Sequence, residues 1–443
     1  MTCFIAAPPS KSASHRAAIA AALAPGTSVL ENLLNSADIA RTLTCLSTLG
    51  SALDWNGGNL RLTGLQQAPV ERHQPLDLNV GESGTTCRLI TPIAALQPGS
   101  CRVHGEGRMH ERPIGELASA LEMLGAEIEW LGTPGYPPLL LSSAGLKGGT
   151  TTISLEESSQ YLSGLLLAAP RAAGEVLINV AGRTAVSWPY AALTLQTMDD
   201  FGVQVGVEQR RGSSWEQTDW SGLSDIRPGQ VRFRVPPQEY TAREYVIEGD
   251  WSNASYFLAA GLLLPGGVTV GGLRADSVQG DRAIVDYLTR MGAAPAWENQ
   301  GLHTAPCTLH NAVLDMGRCP DLVPTMAVLA SLVPGRTVIT NVAHLRLKES
   351  DRLEGLASEI AKTGCTITAS SDGLSIEAAQ IQPGQSISFS TYGDHRMAMS
   401  LSLYELAGIE VQLDDPGCVN KSFPGFWTAW EAVREISRSA GLA

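Results

Sequence analysis

Six times along this chain a polar cluster runs straight into a helix-length stretch of small apolar residues. The first instance shows the device. Lys11, Ser12, His15 and Arg16 crowd together, and Ala17 to Ala24 follow without a polar residue. A helix with no polar face to show water has to be buried. The cluster then sits at the helix N-terminus, where free backbone N–H groups and the positive end of the helix dipole suit an anion. The same pattern predicts buried helices from near Thr85, Gln160, Asn253, Leu322 and His395, spaced at roughly 70 residues with one longer interval. Turns such as Pro25-Gly26 and Pro334-Gly335 come next, then a β-rich run.

A second, amphipathic helix completes each unit. Ile39, Leu43 and Leu46 fall on one helical face, as do Ile114, Leu117, Leu121 and Leu124, and later Leu353, Leu356 and Ile360. Gly50, Gly125, Gly202, Gly292 and Gly364 follow these helices as C-terminal caps. Pro92, inside the second apolar helix, is expected to kink it. The polar stretch from Gln209 to Gln238 reads as a surface excursion before a domain boundary. Six like units divide into two α/β domains of three.

Composition excludes several classes. With 443 residues, 44% hydrophobic and 17% charged, the chain can bury large cores. A net charge of −13 argues against a nucleic-acid or anionic-membrane surface. There is no apolar run of about 18 residues that would predict a transmembrane span, and Met1 to Ile5 lack a basic leader region, so a cytoplasmic protein is expected. The eight cysteines are scattered without a Cys-x-x-Cys, the pattern of reduced thiols rather than a zinc or disulfide framework.

Ser, Thr, Asp and Asn at helix starts also serve as ordinary caps. What sets these clusters apart is the ensemble. An acidic chain places Lys11, Arg16, Arg88, Arg112, Lys348, Arg352, Arg396 and Lys421 in polar loops at helix starts. Fixed cations converging on one place imply a ligand with several negative groups, such as phosphates and carboxylates. Asp321 and Glu349 lie among them as candidates for acid–base work. Asp276 and Asp281 carry no motif. Lys11-Ser12 lacks the preceding glycines of a P-loop, and no His-Glu-x-x-His or Gly-x-Ser-x-Gly is present.

Pro9 to Ser12, Glu111 to Gly115, Ser158 to Gln160, Leu345 to Arg352, Asp394 to Ala398 and Asn420 to Pro424 together resemble the 5-enolpyruvylshikimate-3-phosphate synthase family, over nearly the whole chain. The resemblance implies two similar domains, each of three βαβαββ units in an inside-out α/β barrel, with an interdomain cleft. The domains would be residues 10–248, and 1–9 plus 249–443. It implies transfer of the enolpyruvyl group of phosphoenolpyruvate to the 5-hydroxyl of shikimate 3-phosphate, with release of phosphate, by a monomer using no metal or organic cofactor. Glyphosate, which competes with phosphoenolpyruvate in this family, is an expected inhibitor, because Gly84 leaves room for it.

Carried over motif by motif, Asp321 is the base near the 5-hydroxyl, Glu349 the proton donor to C3, and Lys11 the cation beside both, with His395 assisting. Lys11, Gly84, Arg112, Gln160, Arg352, Arg396 and Lys421 are implied to bind phosphoenolpyruvate. Lys11, Ser12, Arg16, Ser158, Ser159, Gln160, Ser187, Tyr190, Asp321, His344 and Lys348 are implied to bind shikimate 3-phosphate. The chain departs from the family pattern at His15, Glu82 and His344, each in place of Asn, and at Leu89 and Gly393. The sister family that acts on UDP-N-acetylglucosamine has Lys-Asn in place of Lys11-Ser12 and lacks Asp-His-Arg. An inactive anion-binding homologue is the other alternative.

Overall fold

The computed structural model describes residues 3–56, 58–65, 74–223 and 225–439. Contacts divide the chain into two compact units, Lys11–Ile247, and Met1–Ser10 with Glu248–Ala443. The first unit holds helices α1 (Lys11–Leu23), α2 (Ala37–Thr48), α3 (Gly84–Ala94), α4 (Gly115–Met123), α5 (Gln160–Ala168) and α6 (Trp188–Asp200). The second holds α7 (Trp251–Gly261), α8 (Ile284–Arg290), α9 (Val323–Ser331), α10 (Arg352–Ala361), α11 (His395–Leu401) and α12 (Phe426–Ser439).

The repeat is plainest in the middle of the first unit. Strand Leu76–Asn79 leads into α3, strand Gly99–His104 into α4, and strands Glu127–Trp130 and Leu139–Ser143 follow. The first two strands pair in parallel, Leu76 opposite Cys101, because a helix crosses between them. The last strand inserts antiparallel beside the second, Val103 opposite Leu139. The same strand order recurs in three other sheets. One of these takes its first strand, Glu244–Val246, from the far end of the unit and pairs it with Thr27–Glu31.

The unbroken apolar runs predicted burial on all sides, and α7, α9 and α11 are buried at every residue. In α1, every residue from Ala13 to Leu23 is buried. These helices form the cores, and the sheets lie outside them. The second helices bury one face: Ile39, Leu43 and Leu46 in α2, and Leu353, Leu356 and Ile360 in α10. Gly125 and Gly364, after α4 and α10, adopt the left-handed conformation that such caps require. Each unit has its own hydrophobic core. Among the described residues, no helix is long and apolar enough to cross a membrane.

Two expectations need refining. The stretch from Gln209 to Gln238 lies mostly at the surface, as expected, but it also contributes strands. Gly206–Arg211, Ser214–Thr218 and Val231–Val235 widen the third sheet of the first unit to five strands. Val231, Phe233 and Val235 alternate inward and are buried, while Arg234 points outward and donates to Glu208 Oε1 at 3.1 Å. The alternation Val-Arg-Phe-Arg-Val was itself the period-two signal of a half-buried strand, which the expectation of a surface excursion passed over. In the sixth repeat Ser386–Phe389 and Glu410–Leu413 pair in parallel around α11, and α12 takes the place of the second helix; among the described residues no hairpin adds to this two-stranded sheet.

Helix α3 runs through Pro92 to Ala94. Pro92 has no N–H to offer the Arg88 carbonyl one turn back, and α5 closes over that carbonyl at Gly164. A Cβ on Gly164 would lie 2.3 Å from Arg88 O and 3.1 Å from Pro92 Cγ. Backbone cannot yield as a flexible side chain can. Gly164→Ala is expected to destabilise the Lys11–Ile247 unit by about 1–3 kcal/mol, read as a lower urea midpoint. An unchanged midpoint would show that α3 and α5 do not need this approach.

Candidate functional site

In the Lys11–Ile247 unit the polar helix starts are tied to one another. Lys11 opens α1, and its Nζ reaches Asp38 Oδ2 on α2 at 3.1 Å. Ser36 caps α2 by accepting the Ile39 N–H. Asp38 was not anticipated from sequence; its only signal was that cap. Gly84 opens α3 under a Ser83 cap. The Arg112 guanidinium lies so close that a Cβ at Gly84 would be 2.3 Å from its Cζ, and Arg112 Nη1 donates to the Glu82 carbonyl at 3.1 Å. Gly84 therefore serves close approach of a cation to the helix N-terminus. The Glu82 side chain is exposed, and a Cβ on Gly107 would meet its Oε1.

Gln160 opens α5 and binds back to α3. Its Nε2 donates to Thr85 Oγ1 at 2.9 Å, and its Oε1 accepts from Arg88 Nη1 at 3.1 Å. Arg88 also donates to the Pro113 carbonyl at 3.0 Å. Ser158 Oγ accepts the Gln160 N–H, and Ser158 and Ser159 are buried. Ser187 precedes α6 in a left-handed conformation. Arg16 is only 1% exposed. Its donors reach Thr194 Oγ1 at 2.7 Å, Ser163 Oγ at 3.1 Å, and the carbonyls of Ser12 and Tyr190 at 2.9 Å each. It thereby joins α1, α5 and α6 around Ser12 and Tyr190.

In the other unit the centre is Arg352, which is 2% exposed. Its Nε and Nη2 grip Asp394 Oδ2 and Oδ1 at 2.7 and 3.3 Å. Nη1 donates to Asp321 Oδ1 at 3.0 Å and Nη2 to Glu349 Oε2 at 3.1 Å. Arg396 Nη2 donates to Asp321 Oδ2 at 2.8 Å. His395 Nδ1 lies 3.2 Å from Glu349 Oε2. Asp394 caps α11 through the Arg396 N–H, and Ser350 Oγ donates to it. Lys421 Nζ reaches the Gly393 carbonyl at 3.3 Å. Buried charges demand such pairing.

Donor atoms of Glu349, Asp394 and His395 lie within 4.8 Å of one another, the spacing of a metal site. The Arg352 guanidinium bonds two of the three, so the cluster already holds a fixed cation that a divalent ion would have to displace.

Two further groups join this network. His344 is buried, and its pKa is lowered to about 3, by burial first and then by Lys348 and Arg352, with Asp321 opposing. Asp281, without a sequence motif, is buried and accepts a hydrogen bond from Ser252 Oγ. Burial, reinforced by the negative charge of Asp321 and opposed by Arg396, pushes its carboxyl up to about 7. Nothing in the local sequence marks Asp281, because the groups that face it come from elsewhere in the chain.

A family model described as EPSP synthase (3-phosphoshikimate 1-carboxyvinyltransferase) matches residues 2–430. A curated relative named 3-phosphoshikimate 1-carboxyvinyltransferase, from Methanosphaerula palustris, is 39% identical over 429 residues, which is 96% of this chain and 95% of the relative. One of the same name from Vibrio cholerae is 39% identical over 424 residues, 95% of this chain and 94% of its own. A solved structure of EPSP synthase from Acinetobacter baumannii matches the fold with a TM-score of 0.77 at 24% identity, covering 98% of this chain and 95% of that one.

His344 makes stability depend on pH with a definite sign. An unfolded histidine takes up its proton near 6.5, the folded one near 3. Between those values the unfolded chain binds the extra proton, so stability falls as pH drops, by about 1.4 kcal/mol per unit. From pH 6.5 to 5 the wild type is expected to lose about 2 kcal/mol more than His344→Asn, measured by urea titration of the unit that contains it. Parallel losses would show that His344 is protonated in the folded chain.

Proposed function

The chain belongs to the EPSP synthase family, and from that membership we propose that it transfers the enolpyruvyl group of phosphoenolpyruvate to the 5-hydroxyl of shikimate 3-phosphate, releasing inorganic phosphate. The observation that carries the chemistry is Arg352, whose guanidinium bonds both Asp321 and Glu349, the two candidate acid–base carboxylates.

The reaction adds a proton to C3 of phosphoenolpyruvate while the 5-hydroxyl loses its proton and its oxygen bonds to C2. The tetrahedral intermediate then loses a proton from C3 and phosphate from C2. Asp321 takes the hydroxyl proton and Glu349 donates to C3. Arg352 and Arg396 bind the substrate carboxylate. In binding it they exchange one carboxylate for another, which frees an Asp321 oxygen to act as base. In the elimination Glu349, with His395 3.2 Å away assisting, takes the C3 proton back, the hydroxyl proton held by Asp321 leaves with the phosphate, and Lys421 adds positive charge. His344 and Lys348 face the shikimate 3-phosphate.

In the Lys11–Ile247 unit, Lys11, Arg112, Gln160 and the α3 N-terminus at Gly84 hold the phosphate of phosphoenolpyruvate. Ser12, Arg16, Ser158, Ser159, Gln160, Ser187 and Tyr190 hold shikimate 3-phosphate, with Arg16 setting Ser12 and Tyr190. Fixed cations offset the repulsion of two anionic substrates. On this reading the enzyme works as a monomer without metal or organic cofactor.

Phosphate release from phosphoenolpyruvate in chelator-treated buffer is expected with shikimate 3-phosphate and not with UDP-N-acetylglucosamine. Release with the UDP-sugar alone, or with neither acceptor, overturns the reading. Glu349→Gln is expected to lower kcat by about 10²–10⁴-fold while both KM values stay within about threefold, since the amide keeps the shape but has no proton of suitable acidity to give. A kcat close to wild type would remove Glu349 from proton transfer.

A further inference from the structure

A chain of polar contacts, closed through the backbone of α1, runs through the first two turns of α1 and α2 and the first turn of α3. Lys11 and His15 stand one helical turn apart on α1, Asp38 and Thr42 one turn apart on α2. Lys11 Nζ lies 3.1 Å from Asp38 Oδ2. His15 Nδ1 lies 2.8 Å from Thr42 Oγ1. Thr42 Oγ1 lies 2.8 Å from Thr86 Oγ1 on α3. The Thr86 hydroxyl returns to the Asp38 carbonyl at 3.3 Å and to the Ser83 hydroxyl at 2.8 Å. His15, Thr42 and Thr86 are wholly buried.

The proton order follows from the one member that can only accept. A carbonyl oxygen has no proton to give, so the Thr86 hydroxyl spends its own on Asp38 O and Ser83 Oγ. The Thr42 hydroxyl then donates to Thr86, and His15 Nδ1–H donates to Thr42. That assigns the imidazole to its Nδ1–H tautomer. Burial keeps it neutral, with a pKa lowered to about 3. Nε2, which is buried with no hydrogen-bond partner, is then a bare lone pair. An orphaned buried N–H at the same place would be the rarer arrangement.

We infer that His15 is a positioning residue: through Thr42 and Thr86 it sets the first turn of α3, and through the shared Asp38 it sets Lys11, so that the two grips on the phosphate of phosphoenolpyruvate keep one spacing. The inference rests on the reaction proposed above. A buried helix tolerates an imidazole at this position because Nδ1 is satisfied by Thr42.

The test removes links one at a time. His15→Leu loses one hydrogen bond and Thr42→Val two, and each is expected to raise KM for phosphoenolpyruvate by at least about fivefold. KM for shikimate 3-phosphate, which has other contacts, rises less. His15→Asn, whose amide N–H can reach Thr42, and Thr42→Ser are expected to return within about twofold of wild type. A merely structural role would instead lower melting temperature and kcat together and leave both KM values in place, and that pattern overturns the inference. Nitrogen-15 spectra of the wild-type ring supply a readout independent of turnover. The Nδ1–H tautomer is expected; an Nε2–H tautomer would make Thr42 donate to Nδ1 and Thr86 donate to Thr42, which takes the Thr86 proton from the Asp38 carbonyl and overturns the link to Lys11. Should the wild type release no phosphate with either acceptor, the proposed reaction falls while the spectra still decide the tautomer.

Discussion

A helix with no polar face must be covered on every side, and that requirement orders both units. The alanine-rich and leucine-rich helices take the centre, and sheets with one apolar face take the outside. The polar parts of such a helix are then confined to its ends. The N-terminal ends carry unsatisfied N–H groups and positive partial charge. Burial of the barrels of these helices leaves their first turns as the places where polar chemistry can be built.

The two units fill those places differently. Around α1, α3 and α5 the links are mostly hydrogen bonds to uncharged acceptors, Thr to Thr, Gln to Thr and Arg to carbonyl, beside the one Lys11–Asp38 pair. Around α9, α10 and α11 they are ion pairs, with Arg352 and Arg396 set among Asp321, Glu349 and Asp394. Guanidiniums already paired with carboxylates can trade one for a substrate carboxylate at modest desolvation cost, because the charge is buried before binding as after it. Hydroxyls and amides arranged at helix starts suit phosphate oxygens in the same way.

Much of this was legible along the chain. A run such as Ala17 to Ala24 has only one stable placement, and the periodicity of Leu353, Leu356 and Ile360 marks one buried face. The motifs around Lys11, Arg112, Gln160, Glu349 and Asp394 stand at helix starts, where local sequence and local structure coincide. Failures came where that coincidence breaks. Val231, Phe233 and Val235 alternate with arginines, a legible strand signal inside a stretch that is otherwise polar, and what the sequence did not show was the partner of Arg234, Glu208. Asp38 and Asp281 look like ordinary polar residues until Lys11 and Ser252 are brought beside them.

The sequence alone determined which helices are buried, where each begins, and which charged residues stand at those beginnings, because helix burial and capping depend on neighbours within a few positions. Only the tertiary structure decided that Arg352 holds Asp321, Glu349 and Asp394 at once, that His15 reaches Thr86 through Thr42, and that Asp281 lies in the field of Asp321 and Arg396. These are contacts between residues far apart in the chain. Their partners are chosen by how helices pack, at distances over which a hydrogen bond or a buried charge is won or lost within an ångström.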